Sequence, residues 1–477
     1  MERMSQQAQW KKLETVEDHY DTIVVGGGVI GCATARALAG KGHRILVLES
    51  NPSWSKRLAG ELLHPAGVAV LEELGVLEPI LEAGGVPVRG FAVYPAKGDG
   101  AETVLYYAEI GDGTQRGVGV EHGQLVGALR GSLFGRPDVS MVLGRVAELI
   151  REGDRVVGVV ATDREGVSRK IGCTLLVGAD GRQSNVRKML GLDPGPELIS
   201  YSAGAVVDDA FLPRRGLGHI FLGAWGPTLA YPMSKGCARL IFDLPPDFSD
   251  GRRDKLAQHL RERYLPHLVE PLRSAMEAVL ENPSELQLTP NYRAHAKACY
   301  VPGAVLVGDA SGCMHPMTAS GMTNGLNDVK LLARFAPQYL ARPSSAAALR
   351  AYDQSRRPFF QTRALLARAL HEVFRSPSPG ARALRQGVFA RWHENRAFRL
   401  HTMGLLAGTV SNPVVFASQY LSVVGMAAAS VQRTAEPRER LRTLLDIGRH
   451  SVAHLDRHIL VDLVPVPRLV PPFDKAA

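Results

Sequence analysis

Asp21-Thr22-Ile23-Val24-Val25-Gly26-Gly27-Gly28-Val29-Ile30-Gly31 decides the fold. Thr22 to Val25 reads as a buried strand, the glycines as a tight turn, and Cys32 to Gly40 as an Ala-rich helix. A second strand, Arg44 to Leu48, ends at Glu49, close to the roughly twenty-residue spacing of a dinucleotide-binding βαβ unit. In that unit Gly26 permits the turn, Gly28 lets the backbone approach a pyrophosphate, and Gly31 lets helix and strand pack closely. Glu49 accepts hydrogen bonds from the adenosine ribose in this reading. The bland alternative is an ordinary glycine-rich turn in a βαβ unit.

A second strand-to-loop signal lies far down the chain. Val305-Leu306-Val307 leads into Gly308-Asp309-Ala310, then Met314-His315-Pro316 and Ser320-Gly321-Met322-Thr323, and Asn324 to Asp328 opens a helix. This order brings a carboxylate to a ribityl chain and backbone N–H groups to a flavin ring, so redox chemistry is expected. A third signal, Leu175-Leu176-Val177-Gly178-Ala179-Asp180-Gly181-Arg182-Gln183-Ser184-Asn185-Val186-Arg187, delivers Asp180 to a turn, where Ser184 can cap a helix carrying Arg187.

The chain's 477 residues suggest two or three domains. A net charge of +9 permits acidic partners, but the basic residues are scattered and no aromatic-basic recognition module occurs, so no nucleic-acid partner is expected. Five dispersed cysteines, with no CxxC and no metal-ligand spacing, suggest reduced thiols in a cytosolic compartment and no metal site. The N-terminal residues lack the apolar core of a signal peptide. From Thr402 to Gln432 no Lys, Arg, Asp or Glu occurs, and Asn412-Pro413 cuts this apolar segment in two. Two short helices that dip into one leaflet, or that cover a greasy pocket, are expected; a buried hairpin is the alternative.

The organisation follows. Residues 20–90 begin the cofactor domain, with a helix from Leu58 to Leu77; 91–200 mix cofactor and substrate segments; 201–290 form an antiparallel substrate sheet with a helical stretch from Arg252 to Leu280; 300–345 return to the cofactor domain; and 346–477 are helical. The expected fold class is therefore α/β: a Rossmann-like FAD-binding domain, an inserted antiparallel β-sheet substrate domain and a C-terminal helical, membrane-associating region.

Together the three motifs resemble the class A flavoprotein monooxygenases of hydroxybenzoate-hydroxylase fold, and within them the squalene epoxidases. Arg57-Leu58-Ala59-Gly60-Glu61-Leu62-Leu63-His64-Pro65 is similar to that family's R-x-x-G-E-[FL]-x-Q-P, and the Gly308 to Met322 block to its G-D-A-x-N-M-R-H-P-L-T-G-G-G-M. The resemblance implies FAD as cofactor, with Gly26, Gly28, Val29, Ile30 and Gly31 along the pyrophosphate turn and Glu49 on the ribose. It further implies Arg57 and Arg130 near the phosphates, Val146 meeting adenine through its backbone, Asp180 in the cofactor set, Asp309 at the ribityl or pyrophosphate region, and Gly321 and Met322 presenting N–H groups to the flavin's N1 and O2 edge. Implied partners are a hydrophobic substrate, O2, NAD(P)H or a partner reductase, and membrane lipid at the cytoplasmic face, peripheral or monotopic. The implied reaction is epoxidation of an isoprenoid alkene, squalene or a similar polyprenyl chain, by a C4a-hydroperoxyflavin. An oxygenase of prenylated quinolones or quinones and a geranylgeranyl-reductase-like saturase remain alternatives. The four tryptophans do not make the W-x-W-x-I-P signature of flavin halogenases.

No acid–base pair is assigned to catalysis; His64 and Phe91 are the candidates. His64 stands where the family has Gln, and Phe91 where it usually has a Tyr bonded to that Gln. Gly312-Cys313-Met314 replaces N-M-R, and Ala319-Ser320-Gly321 replaces G-G-G. These changes are expected to remove polar partners beside the flavin.

Overall fold

A computed structural model describes residues 10–53, 58–248, 253–434 and 436–453. The strand His19–Val25 lies at the centre of the first sheet, flanked in parallel by Ile45–Glu49 on one side and Ser168–Gly178 on the other. Val139–Leu143 extends the first side and Ala304–Leu306 the second, both parallel to their neighbours. Connection order therefore reverses at His19–Val25. Ligands of such sheets bind outside the carboxyl ends of the strands at that reversal, which here falls at Gly26.

The central strand is apolar on both faces because both are covered. Val24 packs with the helices Val29–Leu38 and Gly321–Ala341, whereas Ile23 packs against an antiparallel meander formed by Arg145–Glu152, Arg155–Thr162 and the start of Ser168–Gly178. A turn at Glu152-Gly153-Asp154 joins the first two of these strands, with Gly153 at φ +57°.

The second sheet has eight strands, ordered Gly312–Cys313, Gln287–His295, Glu197–Val207, Cys237–Leu244, Thr228–Ser234, Gly218–Phe221, Gly90–Tyr94 and Thr103–Tyr106. It is antiparallel except where Gly218–Phe221 runs beside Gly90–Tyr94. It thus recruits strands from 90–106 and 312–313 as well as from the 201–290 stretch. A short third sheet, Leu62–Leu63, Gly117–Gly119 and Val86–Val88, lies beside it.

Several helical expectations are corrected. Leu58 to Leu77 is not one helix: Leu62–Leu63 is a strand, and helices occupy Pro65–Glu73 and Leu77–Glu82, the first with proline at its first position. The Arg252 to Leu280 stretch divides into Arg253–Arg263 and Leu272–Leu280, because Pro266 and Pro271 interrupt it. The apolar segment is broken, but not into two short helices. Arg396–Ala407 ends at Gly408, in the left-handed region at φ +84°, whereas the second helix runs Pro413–Thr434. Its Pro413–Gln432 window is long and apolar enough to cross a membrane, and only 22% of that window is buried. A further helix, Pro437–Ala453, packs beside it.

Candidate active site

At the dinucleotide end each glycine has a distinct constraint. Gly26 sits at φ +104°, and a Cβ there would lie 2.5 Å from the Ala179 carbonyl oxygen; one on Gly31 would lie 1.7 Å from the Gly26 carbonyl. At Gly28 a Cβ would meet nothing within 4 Å, so the space outside it is open. The helix Val29–Leu38 starts there with no side-chain cap, leaving its first N–H groups directed at that space. An uncapped helix start beside an open glycine fits a pyrophosphate.

Glu49 closes the loop's far side: its carboxylate accepts from the Gly27 and Asn51 N–H groups, each at 2.7 Å. Val146 follows Gly144, whose N–H bonds the Glu49 carbonyl at 2.9 Å, so its strand begins at the same edge. Arg130, expected near the phosphates, stands under the same loop, 3.6 Å from the Glu49 carboxylate. It is buried and donates to the carbonyls of Gly27 at 2.8 Å, Pro52 at 2.7 Å and Asn51 at 3.3 Å, so it braces the loop from beneath. Arg57 lies outside the described residues.

Asp180, expected in the cofactor set, borders the glycine turn, with its Cα 3.0 Å from where a Cβ on Gly26 would lie. Its carboxylate accepts from the Ser184 hydroxyl at 2.5 Å and from the N–H groups of Asn185 and Val186 at 2.7 and 3.1 Å, capping the short helix Asn185–Met189. The cap aims Arg187, which is buried and reaches the carbonyls of Asp309 at 3.2 Å and Ala310 at 3.0 Å. From the other side Asp328 accepts the Gly308 N–H at 3.0 Å and pairs with Arg356 at 2.9 Å, while Arg356 donates to Ser311 Oγ at 2.6 Å. Both partners of this pair are buried. Asp309 thus stands on a turn bolted from two directions. Enclosure by protein pushes its carboxyl above the usual range, with Arg182 and Arg187 pulling it back.

The flavin-ring end is formed where the chain leaves that turn. Ala319 takes the left-handed conformation at φ +48°, and the helix Gly321–Ala341 then starts without a side-chain cap, with Gly321 exposed and Met322 half-buried. A Cβ on Gly321 would lie 3.7 Å from Asp309 Oδ1, so the carboxylate and the helix start border the same space.

His64 lies beneath this corner, fully buried. Its Nδ1 is 2.6 Å from the Tyr107 hydroxyl and its Nε2 2.6 Å from the Thr318 carbonyl. The carbonyl can only accept, so Nε2 carries the proton and Nδ1 accepts from Tyr107. Burial lowers the His64 pKa to about 4, despite the raising effect of the Thr318 carbonyl, and the Arg363 charge lowers it further. The expected loss of polar partners is therefore corrected: Tyr107 supplies a hydroxyl from another segment, while Phe91 only packs against His64, with ring centroids 6.1 Å apart. Arg363 is itself buried and donates to the Val410 carbonyl at 2.9 Å.

Next to the Pro316–Thr318 turn opens a predominantly apolar pocket. The second sheet provides Phe91, Leu105 and Leu229, and the C-terminal helices provide Leu366, Trp392 and Leu406. Ser202, Asp243, His315 and Thr402 are the polar residues of this wall. Asp243 Oδ1 lies 3.1 Å from His315 Nε2, which is also 2.9 Å from Ser200 Oγ, and the His371 ring packs on His315 with centroids 4.2 Å apart. Sequence spacing gave no sign that ligand atoms of Asp243, His315 and His371 would come within 4.8 Å of one another. His315 Nδ1 accepts the Met317 N–H at 3.1 Å, so its proton lies on Nε2, facing Asp243. That tautomer makes the cluster a hydrogen-bonded one, with no imidazole lone pair presented by His315 at its centre. Further along, Glu61 forms a bidentate pair with Arg239 at 2.7 and 2.8 Å, tying the His64 segment to the second sheet.

Tyr107, Asp243, Asp328 and Arg356 were missed by sequence reasoning. A carboxylate on the buried face of an amphipathic helix, as at Asp328, was the one available signal.

These features define an FAD-dependent oxidoreductase fold with an apolar pocket beside the flavin corner. Solved structures of the same architecture include the flavin-dependent brominase Bmp2, with TM-score 0.70 and 18% identity over 84% of this chain and 98% of that one. Another is p-nitrophenol 4-monooxygenase from Pseudomonas putida DLL-E4, with TM-score 0.68 and 20% identity over 85% and 99%. The FAD dependent oxidoreductase family model matches residues 21–75, and the Squalene epoxidase model residues 173–447. Squalene epoxidase 2, mitochondrial, of Arabidopsis thaliana is 31% identical over 87% of this chain and 71% of its own length; squalene epoxidase erg1 of Aspergillus fumigatus is 30% identical over 85% of each. The chain belongs to the squalene epoxidase family and is an FAD-dependent monooxygenase.

Proposed function

We propose that this enzyme transfers one oxygen atom of O2 to an alkene of a hydrophobic isoprenoid, squalene or a similar polyprenyl chain. The observation that carries this reading is the apolar pocket, lined by Phe91, Leu229, Leu366 and Leu406 among others, against the turn that leads into Gly321. Its predominantly apolar lining suits a hydrocarbon chain. Bound FAD supplies the activated oxygen. Gly26, Gly28, Val29, Ile30, Gly31, Glu49 and Asp309 would hold the cofactor, and the N–H groups at Gly321 and Met322 would favour negative charge at the ring edge. Leu366, Trp392 and Leu406 exclude water from the reacting alkene, which protects the activated oxygen from wasteful breakdown.

Electrons come from NAD(P)H, directly or through a partner reductase. We place the enzyme at the cytoplasmic face of a membrane, held peripherally or monotopically by its C-terminal helices. Val414 and Leu421 are 70% and 68% exposed, and Leu441 and Leu445 are 61% and 60% exposed, which supports contact of both helices with lipid.

Incubation with squalene, FAD, a reductase, NAD(P)H and ¹⁸O2 tests the reaction. An epoxide carrying one labelled oxygen is expected. A product with two added hydrogens and no label would instead identify a saturase.

A further inference from the structure

One buried charge close to His64 has no counter-charge. Arg363, on the helix Ala347–Arg375, is fully buried, and burial pulls its pKa down to about 9, which still leaves it a cation near pH 7. Its Nη2 donates to the Val410 carbonyl at 2.9 Å, whereas Nε and Nη1 are buried with no hydrogen-bond partner. Burial is the one influence on its pKa, so no carboxylate among the described residues stands near enough to offset it. Its flank is the Phe359 ring, whose centroid lies 4.8 Å from the guanidinium carbon. An uncompensated buried charge with unmet N–H groups is costly, and such groups call for an ion or water as partner.

The surroundings of Arg363 are tied to the flavin corner. Thr362 Oγ1 lies 3.0 Å from the Ser411 carbonyl, and a Cβ on Gly408 would lie 2.8 Å from Ala66 Cβ and 3.3 Å from Thr323 Cγ2. Thr323 Oγ1 in turn accepts the His64 N–H at 3.3 Å. His64 feels the Arg363 charge but is neutral near pH 7, so it supplies no counter-charge.

We propose that Arg363 binds a compact monovalent anion, with chloride as the abundant ligand of this class, between the Gly408–Ser411 loop and the flavin corner. Complete enclosure of the side chain leaves no opening for an extended phosphate or carboxylate ligand, so the anion is a small one. Arg363 does not line the apolar pocket, so anion and hydrocarbon occupy separate places and the inference stands apart from the oxygenase reading. Bound there, the anion offsets the Arg363 charge behind the start of the helix Gly321–Ala341.

Bromide serves as the probe. The FAD-loaded enzyme is titrated with sodium bromide at constant ionic strength, sodium gluconate making up the balance, and crystals grown in bromide are measured for anomalous bromine signal. Tm should rise by about 1–2 °C for each tenfold increase of bromide beyond its Kd. A bromine peak should stand within hydrogen-bond distance of Nε or Nη1. Arg363→Met should match or exceed the parent's Tm in gluconate, because an apolar side chain of similar length replaces an unpaired buried charge, and it should lose the bromide response. A response that survives in this variant would overturn the proposal as a general salt effect. So would a parent Tm indifferent to bromide, with water alone at the guanidinium. Should the variant fail to fold, the bromine peak of the parent decides: its presence at Arg363 supports the site and its absence removes it.

Discussion

The two halves of the Gly308 to Met322 segment are built on opposite principles. The first half is immobilised by charge: Arg187 holds the Asp309 and Ala310 carbonyls, and the buried Asp328–Arg356 pair holds Gly308 and Ser311. The second half is shaped by packing, with Pro316 and Met317 forming one wall of an apolar chamber whose other walls come from distant segments. A cofactor of fixed shape is served by polar groups fixed in one geometry, whereas a flexible hydrocarbon is served by a dry, shaped volume.

The sharpest way to break this contrast is to remove one partner of the charge network. Arg356→Met leaves Asp328 buried and unpaired, which should cost about 3–5 kcal/mol. Chemical denaturation should show that loss, with a parallel drop in retained FAD; a loss below about 1 kcal/mol would mean that the pair does not support the turn. Acid titration gives the next effect. His64 has a folded pKa of about 4, below its unfolded value near 6.5, so the unfolded chain binds the extra proton first. The stability from a neutral His64 is present above pH 6.5 and is lost as pH falls toward 4, by about 3 kcal/mol in total. His64→Gln should flatten that acid limb in denaturation curves taken between pH 4 and 7, and an unchanged slope would show that His64 does not titrate there.

Two smaller effects separate cofactor binding from folding. Gly31→Ala drives a Cβ into the Gly26 carbonyl, and overpacking of this kind costs about 1–3 kcal/mol. Gly28→Ala meets no protein atom, so its Tm without FAD should match the parent while its FAD affinity falls. Equal FAD affinity in the two proteins would place the pyrophosphate elsewhere. On the chamber side, Tyr107→Phe strips His64 Nδ1 of its donor and should cost about 1–3 kcal/mol without altering FAD affinity. Calorimetry beside a flavin titration checks both parts.

The same contrast explains what could be read in advance. The turn at Gly26 to Gly31 and the acid at Glu49 were legible because their chemistry is local, confined to a few residues of one strand, turn and helix. The Asp180 segment was legible as a capped helix, but not that its carboxylate is consumed by the cap. Arg130 was expected near the phosphates from the resemblance alone; its burial under the loop carbonyls is set by the helix His122–Gly131 that carries it. Phe91 lacks the hydroxyl that Tyr107 provides, sixteen positions further on, from the turn after the next strand.

The sequence alone determined the cofactor class, the order of the nucleotide-binding elements and the apolar character of the C-terminal third, since each depends on residue type at short spacing. Tertiary structure decided which polar groups are free. Asp180, Arg130 and Asp243 are all charged, yet Asp180 caps a helix, Arg130 braces the glycine loop and Asp243 meets His315 across the pocket wall, and no spacing in the sequence distinguishes these fates. Hydrogen-bond satisfaction is a property of three-dimensional neighbours, and burial makes its absence costly enough to carry information about a ligand.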